Sequence, residues 1–197
     1  KTFTTALPHT QTGNLYSVEV PLTEKEAYLT GRLGDAEVSV FVAGGRKCYA
    51  AADAASVTLS EGSSAENANG GLRLRLAGQY TGTSADYLFA PSADVPFAAD
   101  GASVDLTKTK LLTLTVTNES PREVNAYIYL RAGTAKRLVK EVKLARNSTV
   151  PVVIRTDIEQ WGRLNAVTSF TIETSNDTDA DNNPYTAVLR VQAPEAT

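Results

Sequence analysis

The chain has 197 residues, 42 % hydrophobic and 21 % charged, with a formal net charge of −3. That length suits one large all-β domain or two small ones, and the charge balance gives no general polyanion-binding role, so no nucleic-acid partner is expected. No apolar run approaches the ~20 residues a membrane helix needs, so no membrane insertion is expected.

Residues 1–14 read as an irregular leader. LYSVEV (15–20) alternates and stops at Pro21, and AYLTGRL (27–33) follows a charged turn. AEVSVFVAGGRKCYA (36–50) reads as a hairpin, because Gly44-Gly45 supplies the positive φ angles of a two-residue turn. SVTLS (56–60) is a short strand, and EGSSAENANGG (61–71) a loop rich in Gly, Ser and Asn.

GLRLRLAG (71–78) alternates strictly, with Leu72, Leu74 and Leu76 inward and Arg73 and Arg75 outward. ADYLFA (85–90) precedes a Pro-bearing loop at 91–101. LLTLTVTNESPREVNAYIYLR (111–131) is two period-two strands joined by a short polar turn. Leu112, Leu114 and Val116 share one face of the first. Val124, Ala126, Ile128 and Leu130 share one face of the second, and Asn125, Tyr127, Tyr129 and Arg131 share its other face.

KRLVKEVKLA (136–145) and STVPVVI (148–154) read as another pair. DIEQWGRLN (157–165) does not alternate and reads as a loop or one helical turn. VTSFTIET (167–174) and YTAVLRV (185–191) close the domain around SNDTDADNNP. Short strands with turn signals every ~8–12 residues predict an all-β fold, an antiparallel β-sandwich of jelly-roll-like character. Residues 1–60 are N-terminal strands, within the same sandwich or as a small ancillary module; residues 61–197 form the main sandwich.

The chain starts at Lys1 and has no methionine, which reads as a mature or excised piece of something longer. Cys48 and His9 are the only residues of their types, so no internal disulfide and no Cys-based zinc cluster is expected. Both read as ordinary strand or surface residues. Sequons occur at Asn118, Asn147 and Asn176, and the abundance of Thr, Ser and Asn favours export.

Several residue groups are candidates for function. Tyr127 and Tyr129 lie two apart, roughly 7 Å along one strand face at ~3.3 Å per residue. An aromatic ring can cover the C–H face of a sugar while Asn125 and Arg131 bond its hydroxyls. Arg73 and Arg75 join this face if their strand neighbours it. Trp161, the only tryptophan, either stacks on a sugar at the sandwich edge or plugs the end of the core. Asp177, Asp179 and Asp181 mimic the first half of a calcium loop but lack its glycine and its distal glutamate, so a structural calcium is the sole cofactor to consider. The acids otherwise sit in turns, among them Asp94, Asp157 and Glu159, and no carboxylate pair, nucleophile elbow, P-loop or His-rich box is present. No enzymatic activity is expected.

From residue 70 to 191 the order of features resembles a galactose-binding-like β-sandwich, the fold of many non-catalytic carbohydrate-binding modules and of accessory domains on agarase-like glycoside hydrolases. GGLRLRLAG (70–78), VDLTKTKLLTLTVTNES (104–120), NAYIYLRAG (125–133), NSTVPVVI (147–154) and WGRLNAVTSFTIET (161–174) carry the resemblance. The closing strand TAVLRV departs from it, lacking the Asp that often helps hold a structural calcium. The resemblance implies a polysaccharide-binding module of a secreted or cell-surface protein, attached to or associated with other domains. The alternative is a structural or assembly domain such as a spacer, adhesin or shell component.

Overall fold

Leu112 and Ile128 are both fully buried in one core, on different sheets of the sandwich that this computed structural model shows. The structure describes residues 47–197 apart from 51, 79–89, 99 and 178–183, together with the backbone of four strands before residue 47. Contacts divide the chain into two units, Lys1–Arg46 and Lys47–Thr197.

The first unit holds two antiparallel pairs. β1 (His9–Thr12) pairs with β2 (Leu15–Val18), and β3 (Glu26–Leu33) with β4 (Ala36–Ala43). The predicted irregular leader therefore contains a strand. HTQT has no apolar alternation to betray it, since backbone pairing alone needs none. The hairpin predicted over 36–50 is also corrected: β4 pairs back onto β3, while Lys47–Cys48 (β5) pairs with a C-terminal strand. The Gly44-Gly45 turn lies outside the described residues.

The second unit is the predicted antiparallel sandwich. Its seven-stranded sheet runs β5, β16 (Glu195–Ala196), β10 (Leu111–Asn118), β15 (Thr186–Gln192), β8 (Gly71–Ala77), β7 (Ser64–Ala68), with β13 (Thr149–Arg155) also paired to β10. Its five-stranded sheet runs β12 (Ala135–Leu144), β11 (Val124–Ala132), β14 (Ser169–Thr174), β9 (Ser92–Pro96), β6 (Thr58–Leu59). Every other side chain of β8, β10, β11 and β15 is buried, as the period-two pattern requires. Leu74, Leu112, Leu114 and Leu189 from one sheet meet Ile128, Leu130, Phe170 and Ile172 from the other at 0–1 % exposure. Each such side chain contributes about 1.5–3 kcal/mol by leaving water. Phe97 stacks edge-on against both Tyr49 and Phe170, at 5.1 and 5.6 Å between ring centroids.

Three further expectations are corrected. The 61–71 loop contains β7, which forms a hairpin with β8 through Asn69-Gly70, Gly70 having φ +74°. The Pro-bearing loop at 91–101 contains β9, whose Ala93 and Val95 point into the core while Pro96 caps its end. The strands at 136–145 and 148–154 do not pair: β12 belongs to β11 and β13 to β10, in opposite sheets. A polar turn between two alternating strands joins them equally well edge to edge or face to face. Here Asn147, at φ +53°, carries the chain from one sheet to the other. The strand expected at 85–90 lies outside the described residues except for Ala90.

The turn after β10 is pinned by Asn118, which is fully buried. Its amide nitrogen donates to the carbonyls of Arg122, Leu144 and Ala145, and its oxygen accepts from the Ser120 N–H at 2.9 Å. One side chain thus ties together two crossings between the sheets, β10 to β11 and β12 to β13. It also withdraws the first sequon, since Asn118 and Ser120 are both 0 % exposed. Asn147 of the second sequon is exposed.

Candidate functional site

The outer face of the five-stranded sheet carries the tyrosines where the alternation put them. Asn125, Tyr127, Tyr129 and Arg131 are all half-buried on β11 and point away from the core. Register sets their neighbours. Tyr127 lies between Glu141 of β12 and Glu173 of β14, and Tyr129 between Leu138 and Thr171. Asn125 is opposite Lys143, and Arg131 lies between Lys136 and Ser169.

Two charged networks cross this face. In one, Arg131 pairs with Asp94 at 3.3 Å, and Asp94 accepts from Ser169 at 2.7 Å and Thr171 at 3.0 Å. In the other, Lys136 forms an ion pair with Glu173 and sets its ammonium 4.0 Å from the centroid of the Tyr129 ring. Burial, and then the Glu173 carboxylate beside it, push the Tyr129 hydroxyl up to about 12. Thr171, though outward-facing, is only 3 % exposed because these longer side chains close over it. The result is an ordered polar platform with Tyr127 and Tyr129 set among fixed hydrogen-bonding groups.

Arg73 and Arg75 do not join it. They lie on β8, in the other sheet, and project from the opposite outer face of the sandwich. Arg73 donates to Glu119 at 2.7 Å and Glu66 at 2.9 Å, and Arg190 lies 3.1 Å from Glu119. The alternation of 71–78 told which way these arginines point but not which sheet holds them.

Trp161 stands elsewhere again, in the loop after β13. It packs in part on the core and in part lines an open depression of about 460 Å³. The non-alternating segment around it ends in a single 3-10 turn, Leu164–Ala166. Of the acidic loop, Asp177 accepts from Ser175 at 2.8 Å and pairs with Arg122 at 3.6 Å. Asp179 and Asp181 lie outside the described residues. Among the described residues, no group of three or more His, Cys, Asp or Glu side chains is placed to hold a metal ion.

Lys136, Glu173 and Asp94 escaped the sequence reading as parts of the platform. The signal for Asp94 was present: Ala93, Val95 and Phe97 alternate around it, but Pro91 and Pro96 disguise the strand. Proline is tolerated at a strand's ends, which is where Pro96 sits. For Lys136 and Glu173 the information lies in register, which a single strand pattern does not contain.

An antiparallel β-sandwich with a tyrosine-bearing polar outer face is the class that this fold and surface define. No family model matches the chain, nor does any curated protein. Solved structures of similar architecture include a variant of a family 29 carbohydrate-binding module, at 11 % identity and TM-score 0.45, covering 77 % of this chain and 90 % of that one. Another variant structure from family 29, complexed with mannohexaose, stands at 9 % identity and TM-score 0.45, covering 77 % of this chain and 90 % of that one. A family 28 module specific for non-crystalline cellulose has 12 % identity and TM-score 0.44, covering 70 % of this chain and 86 % of that one. At these values the likeness is one of β-sandwich architecture, and it carries nothing about ligand or site. No helix among the described residues is long and apolar enough to cross a membrane.

Proposed function

We propose that the chain is a non-catalytic carbohydrate-binding domain of a secreted or cell-surface protein, working beside other domains. The observation that carries this reading is the outer face of the five-stranded sheet. Tyr127 and Tyr129 stand there side by side, flanked by Asn125 and by the Arg131–Asp94 and Lys136–Glu173 pairs. Rings offer apolar surface to a pyranose, and the fixed polar groups meet its hydroxyls without having to be ordered on binding. Asp94 and Glu173 lie on neighbouring strands of an open sheet face, each held in an ion pair, rather than in the water-excluding cleft that hydrolysis uses. A glycan array on the whole chain, followed by calorimetry on the strongest ligand with Tyr127→Ala, tests the reading. Full affinity retained in that variant, in calorimetric binding that leaves tryptophan emission unchanged, contradicts it.

One observation favours the alternative of a structural or assembly domain. Lys136 already covers one face of Tyr129, so the platform also reads as a closed surface network. Silence of the chain across the whole array, together with self-association or capture into a larger assembly, selects that alternative.

A further inference from the structure

The loops 100–110 and 156–168 meet at one end of the sandwich, because β10 begins where its antiparallel partner β13 ends, at the pair Leu111↔Arg155. The Leu106 N–H donates to the Leu164 carbonyl at 2.8 Å, and the Leu164 N–H to the Trp161 carbonyl at 3.2 Å, which fastens the tryptophan loop to its neighbour. Between them lies the depression of about 460 Å³. Its volume falls within the ~300–1,000 Å³ usual for small-molecule sites.

The walls have a definite chemistry. Trp161 supplies an aromatic surface anchored against the core. Thr107, Thr156, Asp157, Glu159 and Asn165 supply the polar rim. Asp157 is gripped by two Arg155 hydrogen bonds of 2.8 Å, and Glu159 accepts from Arg137 at 3.1 Å. Both arginines approach from outside the lining, so the depression presents acceptors and no cation. Such walls disfavour an anionic ligand. They suit one with an apolar face and several hydroxyl donors, since hydroxyl-to-carboxylate bonds are the strong, charge-assisted kind.

We propose that this depression is a second saccharide site, separate from the tyrosine platform, taking a residue of a neutral oligosaccharide stacked on Trp161 with hydroxyls donated to Glu159 and Asp157. The inference rests on the carbohydrate-binding reading and adds to it both a place and a charge class.

Trp161 is the only tryptophan, so intrinsic tryptophan emission reports this site alone. The whole chain is titrated with cellohexaose, mannohexaose and xylohexaose, with an oligogalacturonate as anionic probe and calcium chloride as cation probe, calorimetry running in parallel. The expected result is a saturable emission change with at least one neutral hexaose and none with oligogalacturonate or calcium. The change persists in Tyr127→Ala. In Glu159→Gln, which alters one rim side chain, the affinity read by emission falls roughly tenfold, as for one lost charge-assisted hydrogen bond. Calorimetric binding with unchanged emission overturns the second site and leaves the platform reading intact. No binding by either method removes both. An emission response to calcium, or one abolished by Tyr127→Ala, or one untouched by Glu159→Gln, also overturns it.

Discussion

The Lys136 ammonium sits 4.0 Å from the centre of the Tyr129 ring while pairing with Glu173, so the two tyrosines of the platform are not equivalent. Tyr129 is held by its neighbours, whereas Tyr127 has no charged group stacked on it among the described residues. Under the proposed carbohydrate-binding role, Tyr127 is therefore the ring left for a sugar, and Tyr129 is a member of the surface network.

Replacing the two separates these roles. Tyr127→Ala is expected to weaken binding of an array-selected glycan at least tenfold, about 1.4 kcal/mol, while costing no more than ~1 kcal/mol of stability. Tyr129→Ala is expected to cost about 1–2 kcal/mol of stability, because it uncovers Thr171 and frees Lys136. Calorimetry and urea unfolding on both variants check this. A larger loss of affinity in Tyr129→Ala than in Tyr127→Ala sinks the assignment.

The raised Tyr129 hydroxyl gives a prediction in alkali. In the unfolded chain a tyrosine titrates near 10, and in the fold Tyr129 holds its proton to about 12. The unfolded state thus binds fewer protons between those values, so stability is fully present below pH ~10 and falls as pH rises toward ~12. Tyr129→Phe should flatten part of that fall. An alkaline unfolding profile unchanged by the substitution counts against the burial and the Glu173 contact as its causes.

The acid side runs the other way. Asp157 is lowered by its hydrogen bonds from Arg155, Asp105 by those from Thr107, and Asp53 by the Ala55 N–H. Stability from these groups is present above the ordinary carboxylate range and is lost as pH falls through it. All three are exposed, so Asp157→Asn should shift the acid midpoint only slightly. A shift of a whole pH unit means that the loop it anchors is holding up more of the sandwich than its contacts show.

Faces were legible in the sequence and neighbours were not. The alternation of 111–131 told correctly that Leu112, Leu114, Ile128 and Leu130 are buried and that Tyr127 and Tyr129 face outward, because side-chain direction is local. Which strand lies beside which is decided by the whole sandwich. Arg73 and Arg75 consequently landed on the far sheet, and β12 and β13 separated across the core. The Asn69-Gly70 hairpin is a different case: the dipeptide is a strong local turn signal, and the polar run around it concealed a strand with only one apolar side to show.

Glycine 71 offers a sharp stability test. A Cβ at Gly71 would lie 2.0 Å from the Val191 carbonyl oxygen and 2.7 Å from the Gln192 Cα, on the strand β15 that pairs with β8. Gly71→Ala is therefore expected to cost about 3 kcal/mol or more, the upper end of overpacking. Gly133→Ala, at φ +60° with nothing within 4 Å, should cost only about 1 kcal/mol of backbone strain. Thermal unfolding of the two variants ranks them, and equal costs refute the close approach.

Asn118 gives the most demanding test of how the sandwich is closed. Its amide nitrogen satisfies three carbonyls, that of Leu144 fully buried, and its oxygen takes the Ser120 N–H. Asn118→Ala leaves these groups unpaired at about 1–3 kcal/mol for each that water cannot reach, so a loss of about 3–5 kcal/mol is expected. A smaller loss could be blamed on the cavity alone, and Asn118→Asp removes that escape. It keeps the volume and the acceptor for Ser120, deletes the donors, and buries a carboxylate facing three carbonyl oxygens. It should be at least as destabilising as alanine at pH 7 and should recover in part on acidification, when the carboxyl regains a proton to donate. Ser120→Ala, which loses only the hydroxyl bonded to the Val188 N–H at 2.8 Å, should cost about 1 kcal/mol. Chemical denaturation at pH 7 and pH 4 gives all three. An Asn118→Asp variant within ~1 kcal/mol of the parent at pH 7 would show that the turn holds by packing rather than by these hydrogen bonds.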